Sequence, residues 1–161
     1  VGFQKKRLGS NEVVGSEELD MPAQEFVTES MWFTIPPGLL ETEAQLLRLP
    51  GAIHAVEHAL IALLPLYAMC DRWDIGGLST PVHSQTEAPT IFVYDGHAGG
   101  VGISRQGFER FSEWAQDAHR LIRDCPCEGG CPSCIQSPKC GNLNEPLDKE
   151  AALQLLESML S

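Results

Sequence analysis

Apolar residues recur at helical spacing through a long segment that opens at Pro50-Gly51 and reaches about Cys70, marked by Ile53, Val56, Leu60, Leu63, Leu64 and Tyr67. The pattern predicts a helix with one broad apolar face. Just upstream, Thr42 and Gln45 stand at capping-box spacing. Pro65 removes a backbone donor and crowds the preceding turn, so a kink is expected there. Residues 71–77 then read as a turn-rich exit. A second helical face is marked by Phe108, Phe111, Ala115, Ala118 and Ile122, running into a cluster of cysteines. A last amphipathic helix is predicted from Asp148, a suitable N-cap, with Ala152, Leu155, Leu156, Met159 and Leu160 on its apolar side.

Between Glu25 and Ile35 the stretch FVTESMWFTI is rich in aromatic and β-branched residues, and Pro36-Pro37-Gly38 ends it, which predicts a strand. Thr90 to Tyr94 (TIFVY) is almost wholly apolar and reads as a buried strand. Val1 to Asp20 is polar and lacks a strong period, so it reads as an edge strand or a linker. The elements together predict an α+β fold, with helices packed on a small β-sheet and a four-cysteine loop near the C-terminus. At 161 residues and 43% hydrophobic composition, one core is the expectation.

Charge narrows the function classes. The formal net charge of −11 argues against a surface that wraps nucleic acid nonspecifically, because phosphate neutralisation needs Lys and Arg in excess. The first twenty residues contain no apolar run of signal-peptide or membrane-span length. With Val1 at its start, the chain reads as a piece of a longer cytoplasmic protein with no membrane partner.

Chemistry concentrates in Cys125-Pro-Cys127-Glu-Gly-Gly-Cys131-Pro-Ser-Cys134, with Cys140 following and Cys70 far away. Such crowding fits metal binding in a reducing compartment better than disulfides. The prolines and glycines supply tight turns that aim sulfurs inward, and four thiolates close a tetrahedral zinc ion into a structural site. Iron–sulfur spacings such as C-x2-C-x2-C-x3-C are not matched. A redox couple at Cys131-Pro-Ser-Cys134 would leave Cys125 and Cys127 surplus. Which four of the five clustered cysteines bind stays open at this level.

Three lesser candidates remain. His54-Ala-Val-Glu57-His58 spells the H-x-x-E-H of inverted zinc metallopeptidases and places both imidazoles on one helix face. A peptidase needs a third ligand, for which Glu87, Glu109 and Asp117 are candidates only by being acidic; the plainer reading is two ordinary hydrogen-bonded histidines. The loop Asp95 to Gly102 joins a predicted strand to a predicted helix, where backbone amides can hold a phosphate, but it spells neither a dinucleotide nor an NTP motif. Gly99 and Gly100 in this loop, with Lys139, are candidate DNA contacts. Asp71-Arg72-Trp73-Asp74 reads as an internal ion-pair turn or a docking surface. Trp32, Trp73 and Trp114 read as core or half-buried residues.

CPCEGGCPSCIQSPKCGNLNEPLDKEAAL, HAVEHALIALLPLYAMCDRWDIGG and IFVYDGHAGGVGIS, in that combination, resemble the MrfA-type zinc-binding domain. That domain closes the C-terminus of a group of superfamily-two DEAD/DEAH-box helicases, which includes the mitomycin-repair and Hrq-like helicases. The resemblance covers about Thr28 to the end. It implies residues 1–27 as a lead-in from a preceding helicase region and 28–161 as the zinc-binding C-terminal domain, its zinc segment at 125–144. It further implies one zinc per chain on Cys125, Cys127, Cys131 and Cys134, with Cys140 as an extra or substitute ligand. The implied parent is an ATP-dependent DNA helicase moving 3′ to 5′ in bacterial DNA repair, its motor domains and DNA being the partners. This chain carries no Walker A lysine, DEAD/DEAH box or arginine finger, so it is not expected to hydrolyse ATP itself.

Overall fold

The structure is a computed structural model, and it describes residues 2–7, 10, 12–20, 22, 24–37 and 42–161. Gly38, part of the predicted strand stop, lies outside these.

A hairpin of β1 (Gly2–Lys6) and β2 (Val13–Glu18) comes first. Nearly all its residues are exposed, and none of them joins the core. The core begins with β3 (Ser30–Thr34), shorter than the apolar stretch that predicted it. It pairs antiparallel with β5 (Thr90–Asp95), which pairs on its other edge with β4 (Ile75–Thr80), giving the order β3-β5-β4. Period-two alternation sends Ile91, Val93 and Asp95 inward and places Trp32, Phe92 and Leu78 in one cross-strand row on the outer face. Trp32 and Leu78 there are exposed.

The sequence reading missed β4, because Gly76-Gly77 reads as turn. Both glycines answer to close approach. A Cβ at Gly76 would fall 2.2 Å from the Tyr94 ring, and one at Gly77 would fall 2.6 Å from Glu57 Oε1.

The long helix α1 (Glu43–Leu63) starts at the expected capping box, with Thr42 and Gln45 exchanging side-chain and backbone hydrogen bonds. It runs through Pro50 without ending. The predicted single apolar face is corrected here: every residue from Gly51 to Ile61 is buried. The helix packs on β4 and β5 and also on the two C-terminal helices, so little of its circumference meets water. Pro65 sits in a 3-10 turn (Leu64–Leu66) that ends the helix rather than kinking it. By length and composition Glu43–Leu66 could cross a membrane, but about two-thirds of its apolar window is buried inside this fold.

The second predicted helix is two helices, α2 (Ile103–Glu109) and α3 (Phe111–Asp124), broken at Arg110. Phe108 is consequently exposed, whereas Trp114 is fully buried and donates Nε1–H to the Leu60 carbonyl at 2.9 Å. Trp73, like Trp32, is exposed. The last helix, α4 (Lys149–Leu160), starts where expected: Asp148 accepts from the Ala151 amide at 2.9 Å. Asp148 also receives a two-pronged contact from Arg48, at 2.6 and 2.7 Å, which ties the start of α4 to α1. The architecture is α+β, a small sheet and the α3–α4 pair on either side of α1.

Candidate metal centre

α3 stops at Asp124 because Cys125 precedes Pro126, and a residue before proline is pushed out of helical conformation. Cys125 accordingly turns extended (φ −71°, ψ 124°) and carries the chain into the cysteine loop. Gly129-Gly130 reverses it, Gly130 at φ +107°. A second tight turn follows, in which the Cys131 carbonyl accepts from the amides of Cys134, Ile135 and Gln136 at 3.0 to 3.2 Å. Ile135, fully buried, anchors that turn to the core.

The two turns bring four sulfurs together. Cys125 Sγ lies 3.6 Å from Cys127 and 3.5 Å from Cys131; Cys134 Sγ lies 3.5 Å from Cys127 and 3.8 Å from Cys131. Zinc–sulfur bonds of about 2.3 Å imply tetrahedral edges of about 3.8 Å, so a zinc ion fits this cage with little adjustment. The Ser133 amide lowers the Cys131 thiol to about 7, whereas burial pushes Cys134 up to about 12. A bound cation overrides the second effect, because metal-bound thiols deprotonate. Lys149 from the first turn of α4 donates to the carbonyls of Cys125 and Cys127 at 2.7 and 2.6 Å, with Cys127 Sγ 3.6 Å away. It brings one positive charge beside a four-thiolate site that with zinc carries two negative ones. Sequence reading did not single out Lys149, and its only signal was a lysine in the first helical turn, where the macrodipole disfavours it.

Cys140 lies elsewhere. Its sulfur is 3.3 Å from His54 Nε2 and accepts the Asn144 amide at 3.3 Å. His54 and His58 are both buried in α1, and each donates Nδ1–H to a backbone carbonyl, of Pro146 at 2.8 Å and of Ile135 at 2.7 Å. Burial pushes His58 down to about 4 and raises Glu57 above the usual carboxylate range, against the opposing hydrogen bond from Ser79. The three acidic residues considered as a third histidine partner are placed differently. Asp117 accepts from Tyr67 at 2.5 Å and from Arg120, Glu109 is exposed on α2, and Glu87 is exposed in a turn at φ 52°.

In the glycine loop, the amides at the start of α2 already have an anion. Asp95, fully buried, accepts from Val101 at 2.7 Å, Ile103 at 3.1 Å and Ser104 at 2.7 Å. Burial opposes its ionisation, but these three donors overrule burial and hold the carboxyl below its usual range. The Gly99 and Gly100 amides are engaged as well, by the carbonyls of Val27 and His97. Lys139 directs its ammonium to the carbonyls of Arg72 and Ile75, over the Trp73 ring. In the turn at 71–74 the two aspartates act as caps: Asp71 accepts from the Trp73 amide and Asp74 from the Asp71 amide.

Comparison with known proteins agrees with the cysteine site. The profile of the MrfA Zn-binding domain matches residues 56–135. The chain is 35% identical over 159 residues to the ATP-dependent helicase YprA of Bacillus subtilis (strain 168), covering 98% of this chain and 20% of that one. It is 37% identical over 112 residues to protein MJ1572.1 of Methanocaldococcus jannaschii, covering 68% of this chain and all of that one. Against the ATP-dependent helicase HRQ1 of Saccharomyces cerevisiae it is 26% identical, spanning 15% of that protein. Among solved structures, the DUF1998 helicase MrfA bound to DNA superposes with a TM-score of 0.67 at 35% identity, covering 98% of this chain and 20% of that one. The chain thus spans about a fifth or less of the helicases it matches. Helicase relatives do not favour the metallopeptidase reading of His54, Glu57 and His58. A cage of four converging sulfurs, together with full coverage of one relative at 37% identity, settles the family: the chain belongs to the MrfA Zn-binding domain family.

Proposed function

We propose that the chain is the structural zinc module of an ATP-dependent 3′–5′ DNA helicase working in DNA repair in the bacterial cytoplasm, at the nucleoid. Cys125, Cys127, Cys131 and Cys134 hold one zinc ion, and residues 28–161 form the module, with 1–27 leading in from the rest of the polypeptide. The observation that carries the reading is the sulfur cage with its 3.5 to 3.8 Å edges. Four protein ligands leave zinc no position at which to activate water, so the ion holds structure. Likeness to helicases, one of them solved with DNA, supports motor domains of the same polypeptide and DNA as the partners.

The module acts by bracing the motor or guiding a separated strand, single or at a fork. Gly99 and Gly100, in the loop after β5, are the backbone we assign to strand contact by close packing, their amides staying with the carbonyls of Val27 and His97; Lys139 contributes only by leaving the carbonyls that hold it. With a net charge of −11, attraction to phosphates is weak, so this chain alone should bind single-stranded DNA feebly and release it as salt rises. The test is Cys131→Ser in the full-length parent, with zinc content, ATPase and unwinding measured side by side. Unwinding should fall while ATP hydrolysis remains possible. Full unwinding by a zinc-free enzyme would refute the role, and tight, salt-resistant DNA binding by the chain alone would make it a DNA-binding module instead.

A further inference from the structure

Two buried imidazoles and a thiol meet where the segment after the cysteine cage folds back over α1. The ligand atoms of His54, His58 and Cys140 all lie within 4.8 Å of one another. Helical spacing of i and i+4 puts both rings on one face of α1, with centroids 4.3 Å apart. Carbonyl oxygens only accept, so the contacts to Pro146 and Ile135 fix a proton on each Nδ1, and the neutral tautomer of each ring then carries its lone pair on Nε2. Metal-bound imidazoles are oriented in this way, by a backbone carbonyl on the other nitrogen. The Asn144 amide donates to Cys140 Sγ at 3.3 Å and aims the sulfur toward His54. Asn144 is itself locked by paired hydrogen bonds with the backbone of Ser137, so the sulfur is held in place by a closed loop.

A thiol–imidazole hydrogen bond alone would account for the His54–Cys140 contact. It gives no reason for a second buried imidazole under the same carbonyl restraint beside it. For zinc, bonds of about 2.0–2.1 Å to nitrogen and 2.3 Å to sulfur give a tetrahedral N···S edge of about 3.5 Å, close to the 3.3 Å between His54 Nε2 and Cys140 Sγ. We propose that His54, His58 and Cys140 form a second metal site, separate from the four-cysteine cage, for a borderline divalent transition cation of the zinc type. Two imidazoles and a thiolate exclude magnesium, calcium and manganese as preferred ions, which favour oxygen donors. Three protein ligands leave one position for water or a small donor. All three residues line a cleft of about 460 Å³, shared with Glu57, Tyr94 and Asn142, through which such a donor can enter. His54 and Cys140 both fall outside the span 56–135 that the family profile matches.

The test is titration of the metal-stripped chain with Co²⁺, with zinc counted in the chain as purified. Two equivalents should bind, the second adding a much smaller sulfur-to-metal charge-transfer band than the first, one thiolate against four. Cys140→Ser should bind one equivalent and keep the strong band. Cys140→His should restore the second equivalent without its charge-transfer band. A wild-type chain that saturates at one equivalent overturns the proposal, as does a second equivalent that brings no sulfur band or that survives in Cys140→Ser. The unmodified chain alone decides the matter if a variant does not fold.

Discussion

The Lys149 ammonium lies 2.6 Å from the Cys127 carbonyl oxygen and 3.6 Å from the Cys127 sulfur, so the first turn of α4 closes the back of the cysteine cage. Only its side chain reaches there; the backbone of Lys149 belongs to a helix that starts more than twenty residues later. Lys149→Met keeps the aliphatic stem and removes the charge and its hydrogen bonds. Zinc affinity should fall by roughly 10- to 100-fold, the usual cost of losing an outer partner of a metal ligand. Chelator competition measures this, and an unchanged affinity would show that the lysine serves only the fold.

Cys134→Ser should abolish zinc retention at the cage. Strong chelation of the wild-type chain should loosen residues 125–144 first, because the apparent binding energy of a structural zinc, about 10–16 kcal/mol, is spent on folding its own loop. Hydrogen exchange read segment by segment checks the order. Rigidity of 125–144 after complete zinc removal would count against a structural ion.

Asp95→Asn should cost about 1–3 kcal/mol, since charge-assisted hydrogen bonds to three amides become neutral ones and one donor faces another. The pH dependence has a definite sign. A carboxyl whose folded pKa lies below the unfolded value stabilises fully above about pH 4, and that stability is lost as pH falls through the folded value. Urea unfolding across pH 2–7 should therefore show a steeper acid loss in the wild type than in Asp95→Asn. Parallel acid limbs would contradict it.

Trp114→Ala should destabilise by about 3–5 kcal/mol, the range for emptying a large aromatic site. Gly107→Ala attacks the same contact from the other side. Its Cβ would fall 2.7 Å from Trp114 Cζ3, so overpacking of about 1–3 kcal/mol is expected although alanine is the better helix former. A stabilised Gly107→Ala, measured by thermal or urea unfolding, would mean that the Trp114 ring yields freely.

Local chemistry made much of the fold legible. Thr42 with Gln45, and Asp148 before α4, announce helix starts through their own side chains, and Thr90 to Tyr94 announces the central strand through β-branched and aromatic residues. The elements that escaped depend on distant partners. Gly76 and Gly77 are strand residues only because Tyr94 and Glu57 occupy the space their side chains would need. The break at Arg110 has only Gly107, a poor helix former, as a sequence signal, while Phe108 and Phe111 at i,i+3 spacing argue for one continuous helix. In the cysteine cluster, spacing pointed to a tetrahedral cage but left five thiols for four places. Cys140 is drawn to His54 across 86 positions of sequence, and the clue available beforehand was arithmetic: a fifth cysteine beside two histidines one turn apart.

The burial of α1 has a consequence in time. A chain is synthesised from its N-terminus, and β4, β5, α3 and α4 all follow α1. At about 5–20 residues per second, α4 emerges several seconds after the helix it covers. Until α3 and α4 emerge, a segment apolar enough to cross a membrane has only β4 and β5 of the partners that cover it. Slow codons between α1 and α4 would lengthen that exposure.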